Sequence, residues 1–103
     1  MEQAALSLIG KHDFKSFSTV KKSKSTVKEI FDIDIYNAGN EIQITIHAND
    51  FLHNMARMII GTLMDIGLGN RKKDDMDLIL DGQASASAPV DAKGLYLQEV
   101  RYN

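Results

Sequence analysis

The 103-residue chain has no cysteine, no tryptophan and one proline. Without thiols it can form neither a disulfide framework nor a thiolate metal site, so its fold must rest on an apolar core, and a cytoplasmic setting is the expectation. No apolar run approaches membrane-spanning length, and Met1-Glu-Gln-Ala-Ala lacks the basic flank and apolar stretch of a secretion signal; a soluble protein with no membrane partner is expected. Excess positive charge is missing as well. A formal net charge of -2 excludes a chain that grips nucleic acid by bulk charge alone. Three His among scattered carboxylates give no metal-ligand spacing, and neither metal nor cofactor is expected.

What is present suffices for one core. With 44% hydrophobic residues the chain is long enough for a single domain over 1–103 and too short for two. Its charge is polarised. Residues 10 to 28 carry six Lys against Asp13, net +5, whereas residues 29 to 50 carry five carboxylates and no Lys or Arg. The run Lys21, Lys22, Lys24 is either a solvated loop or one phosphate-facing edge.

Periodicity supplies the elements. Ala4, Ala5, Leu8 and Ile9 have the one-sided spacing of a short helix over Glu2 to Ile9, with Gly10 as its cap. Val27, Phe31, Ile33 and Ile35 alternate with Asp32 and Asp34, Asn37-Ala-Gly-Asn40 makes a turn, and Ile42, Ile44 and Ile46 resume the alternation. That is an antiparallel hairpin with one wet face. Asn49 or Asp50 is placed to cap a central helix whose apolar stripe runs from Leu52 through Met55, Ile59, Leu63 and Ile66 until Gly67 and Gly69 end it. A shorter helix from Asp74 or Asp75 to Asp81, a small-residue loop over 83–88 that reads as mobile, and a last strand from Leu95 to Tyr102 complete an α+β domain, an antiparallel sheet with helices packed on one face.

One residue disturbs this pattern. Arg57 stands inside the apolar run Phe51-Leu-His-Asn-Met-Ala-Arg57-Met-Ile-Ile-Gly61, and a guanidinium carried toward the interior requires a carboxylate or phosphate to meet it. His53, Arg57 and Gly61, spaced by four, line one side of the helix. The alternative is an arginine whose stem lies on the core while its head reaches solvent.

The same run, continued by Thr62-Leu-Met-Asp-Ile-Gly67, resembles the helix motif F-L-x-N-M-V-R-x-I-V-G-T-L-x-x-V-G of the tRNA pseudouridine synthase A family. Gly10-Lys-His-Asp-Phe14 with Phe17, Ser87-Ala-Pro89, and Gly94-Leu-Tyr-Leu97 leading to Glu99-Val-Arg-Tyr102 agree with further blocks in the same order. The resemblance covers the chain from end to end, but only the C-terminal half of that enzyme, a ferredoxin- or RRM-like half. It implies an isomerase that converts uridine to pseudouridine in the anticodon arm of tRNA, as a homodimer when full length.

In that family an aspartate attacks the target nucleoside and a basic residue pairs with it, the role the resemblance gives to Arg57. The aspartate belongs to an R-T-D-x-G-V-H-A block, and no Arg-Thr-Asp occurs in this chain, so the polypeptide alone is expected to be inactive. By the same resemblance Phe51, His53, Asn54 and His12 are candidate substrate-binding residues, Leu95 or Leu97 packs beneath the reactive base, and Lys21, Lys22 and Lys24 touch tRNA phosphates. Asp13 is expected to cap a turn while Phe14 and Phe17 anchor it. Asp50 replaces a usual Gly and is expected to strain the start of the helix if a positive φ is needed there. The competing reading is a non-catalytic α+β module for RNA binding or dimerisation.

Overall fold

A computed structural model describes residues 2–19, 26–38, 41–52, 54–88 and 96–101. Helix α1 (Glu2–Leu6) leads into strand β1 (Gly10–Asp13) and a single 3-10 turn (Lys15–Phe17); β2 (Val27–Ala38) and β3 (Glu41–Ala48) form the hairpin; α2 (Met55–Gly67) and α3 (Asp75–Leu80) follow, and β4 (Tyr96–Arg101) closes the domain. The sheet order is β1-β2-β3-β4. Strands β2 and β3 are antiparallel, as expected; β1, which the sequence did not suggest, adds antiparallel to β2, but β4 lies parallel to β3, from Gln43↔Tyr96 to Ala48↔Arg101. The helices account for that: the chain leaves β3, crosses over through α2 and α3, and returns to the sheet running the same way.

One hydrophobic cluster holds the layers together. Ile30, Ile44, Ile46 and Ala48 from the sheet meet Ala4, Ala5 and Leu8, the α2 residues Met55, Ile59, Ile60 and Leu63, and Met76 and Ile79 of α3. Phe14 and Phe17, both fully buried, plug the edge beside the 3-10 turn, while Asp13 Oδ1 accepts a hydrogen bond from the Lys15 N–H at 3.0 Å. Each fully buried aliphatic side chain contributes about 1.5–3 kcal/mol. The expected roles of Asp13, Phe14 and Phe17 are therefore met.

The hairpin departs from simple alternation at Phe31. Ile30 pairs with Ala48 and Asp32 with His47, so Phe31 is the extra residue of a β-bulge. A bulge reverses the in-and-out order, and Ile30 rather than Phe31 enters the core. Phe31 and Val27, expected on the apolar face, are 44% and 41% exposed. The other face carries Asp32, Asp34, Tyr36 and Gln43, with His47 Nε2 lying 3.4 Å from Asp34 Oδ2.

Helix boundaries also shift. α1 ends at Leu6, and Gly10, with φ of +110°, opens β1 instead of capping the helix. α2 begins at Met55, three residues after Leu52, because Asn54 adopts a left-handed conformation with φ of 61°. Asn54 is the one non-glycine residue with positive φ among the described residues, so the strain expected at Asp50 falls here. Asp50 instead accepts the Phe51 N–H at 2.8 Å and pairs with Lys28 at 3.3 Å. α2 ends as expected at Gly67, with Gly69 (φ +81°) turning the chain. Among the described residues no helix is long and apolar enough to cross a membrane.

Candidate functional site at the start of the central helix

The helix does not carry Arg57 inward. Its large buried side chains, Met55, Ala56, Ile59, Ile60 and Leu63, lie on one arc with Thr62 at its edge, and Arg57 falls opposite them, exposed, although Gly61 one turn on is itself buried. No hydrogen bond or ion pair to it occurs among the described residues. The physical reason is the angular spacing: at 100° per residue, position 57 lies well outside the arc centred on Ile59 and Leu63. Any acceptor for this guanidinium comes from outside the described residues.

Around it the first turn of α2 is unusual. Asn54, in its left-handed conformation, gives no side-chain cap to the helix and turns its amide to Thr19, whose hydroxyl accepts from Nδ2 at 3.3 Å. That bond ties Thr19 to the helix end bearing Arg57. Lys21, Lys22, Lys24, His53 and Leu95 themselves lie outside the described residues. Leu97 takes the register position beside Ile44 in β4.

Two other expected contacts sit elsewhere. Phe51 belongs to the core with 9% of its surface exposed, so its ring packs there. Hydrophobic patterning cannot separate packing from substrate contact, since a residue just before a helix can pack on the same core as the helix itself. His12 is half-buried on β1, where Nε2 lies 3.1 Å from the Ile9 carbonyl and the ring meets Phe14 edge-on at 5.7 Å.

The other end of α2 holds a polar cluster the sequence did not reveal. Fully buried Thr62 donates its hydroxyl to the Met58 carbonyl at 2.9 Å and accepts the Ser87 N–H at 3.0 Å. Ser87 Oγ donates to Asp65 Oδ2 at 2.5 Å and accepts from Arg71 Nη1 at 3.2 Å, while Arg71 Nε donates to Asp75 Oδ2 at 3.1 Å. The small-residue loop is therefore pinned, not mobile. Arg71 and Asp75 stand four apart, a spacing visible in the sequence; the Asp65–Ser87 pairing spans 22 residues and is visible only in the fold.

A family model described as tRNA pseudouridine synthase matches residues 4–103. Among similar proteins, a tRNA pseudouridine synthase A 2 of Bacillus anthracis is 37% identical over 99% of this chain and 43% of its own length. A tRNA pseudouridine synthase A of Shewanella piezotolerans is 41% identical over 99% of this chain and 40% of its own. A tRNA pseudouridine synthase A 2 of Clostridium tetani is 41% identical over the whole chain and 43% of its own. The chain thus spans about two-fifths of the length of the curated relatives it matches.

Proposed function

The chain belongs to the tRNA pseudouridine synthase family, and from that premise we propose that it is the C-terminal domain of a cytoplasmic, homodimeric enzyme that isomerises uridine to pseudouridine in the anticodon arm of tRNA. The observation that carries the reading is a family match running from residue 4 to 103, which takes in the whole block around Arg57.

Arg57 is the residue of this domain that pairs with the nucleophilic aspartate. Its exposure supports that role in one specific way: an unpartnered guanidinium on the outer side of α2 is available to a carboxylate brought by other polypeptide. Once the two are enclosed together, the fixed positive charge favours the ionised carboxylate and orients it for attack. The uracil then detaches, rotates and rejoins through carbon, with no group consumed. Lys21, Lys22 and Lys24 supply phosphate contacts. The acidic open face of the hairpin, with Asp32 and Asp34, repels phosphate and is left to other uses.

The test is complementation. This chain alone should release no tritium from tRNA labelled at uridine C5, and should do so after mixing with a separately produced N-terminal half that bears the Arg-Thr-Asp block. A mixture that binds but stays inactive would leave a non-catalytic module in its place.

A further inference from the structure

We infer that Ser87, Asp65 and Arg71 form a positioning latch that ties the loop after α3 to the stripe of α2 that carries Arg57. Arg57, Gly61 and Asp65 are spaced by four and share one stripe of the helix. Arg57 is open at one end of that stripe; at the other, Asp65 receives the Ser87 hydroxyl. Three segments converge there. Thr62 and Asp65 come from α2, Arg71 from the turn before α3, and Ser87 from the loop after it.

The loop is suited to such close approach. Ala84 and Ala86 pack against the core, and their small side chains let the backbone of Ser87 reach the Thr62 hydroxyl on the helix surface. Arg71 is itself held twice, by Asp75 through its side chain and by the Asp65 carbonyl through its backbone N–H at 3.3 Å. Its guanidinium therefore offers Nη1 to Ser87 in a fixed direction. Only eight residues separate Ser87 from Tyr96, so a fixed Ser87 limits how far the start of β4 can shift.

The inference rests on the proposed function for its link to catalysis, and two readouts separate them. In this chain, Ser87→Ala, which removes the bonds to Asp65 and from Arg71, should speed amide hydrogen exchange at residue 87 and along 96–101 by at least about tenfold, and Ser87→Thr should restore it. Unchanged exchange overturns the latch. In the longer synthase, Ser87→Ala should lower kcat by about tenfold while KM for tRNA stays within about twofold, because Ser87 acts through the chain it positions, and Ser87→Thr should recover kcat. A wild-type kcat beside altered exchange overturns the positioning role. If Ser87→Ala fails to fold, Asp65→Asn carries the same two expectations. A wild-type synthase that forms no pseudouridine refutes the function, and exchange alone then decides the latch.

Discussion

The two ends of α2 are built on different terms. At the C-terminal end Thr62, Asp65, Arg71, Asp75 and Ser87 hydrogen-bond among themselves within a largely buried cluster. At the N-terminal end, Asn54 sits in a left-handed conformation with one 3.3 Å bond to Thr19, and Arg57 is exposed without a partner among the described residues. One end is satisfied within the fold, while the other keeps local strain and an uncompensated charge at the surface. A cluster of the first kind stabilises; an end of the second kind persists only where something besides stability uses it.

Substitutions can break that contrast. The largest loss of stability belongs to the buried stripe joining the ends: Ile59→Ala should cost about 2–5 kcal/mol in chemical denaturation, through lost burial plus the cavity left behind. A cost under about 1 kcal/mol would mean that α2 is not the central packing helix. Next, Asp65→Ala at the satisfied end should cost about 1–3 kcal/mol, since it leaves the Ser87 hydroxyl without its acceptor. At the strained end, Asn54→Ala should cost about 1 kcal/mol and Asn54→Gly much less, because glycine accepts the left-handed conformation freely. Equal losses for the two would show that the Thr19 bond, not the backbone, sets the cost. Arg57→Ala should change stability by no more than about 0.5 kcal/mol, as for an exposed residue without contacts.

Much of this contrast was hidden in the sequence for identifiable reasons. The alternation of Ile44 and Ile46 and the stripe through Ile59 and Leu63 were legible because each side chain's environment follows from its own periodicity. The bulge at Phe31 was not, since an inserted residue leaves the local composition unchanged while reversing every side chain after it. Strand β1, Gly10-Lys-His-Asp13, has no apolar alternation and exists by pairing with Val27 to Ile30. Arg57 was expected to face inward because an apolar run suggests burial all round, yet Arg57 falls on the side of α2 opposite the buried arc. The family blocks pointed to the family but not to what each residue touches: Phe51 proved to be core, and Ser87, quoted only as part of a block, proved to be the hub of a network.

A smaller effect concerns pH. The Asp13 carboxyl is held below its ordinary value, chiefly by the Thr26 side chain and then by the Lys15 N–H. A lowered folded-state pKa gives stability that is present above the unfolded value and lost as pH falls through the folded one. Asp13 is exposed, so the acid-side loss should be slight, and Thr26→Val should reduce it further in parallel melts at neutral and acidic pH.

The most direct test of the contrast is the rate of pseudouridine formation in tRNA by the longer synthase carrying Arg57→Ala, measured on protein whose melting temperature matches wild type. The account predicts a rate lower by at least about a hundredfold, the scale of removing one charge-stabilising group from an enclosed site. A variant that modifies tRNA at the wild-type rate would contradict it.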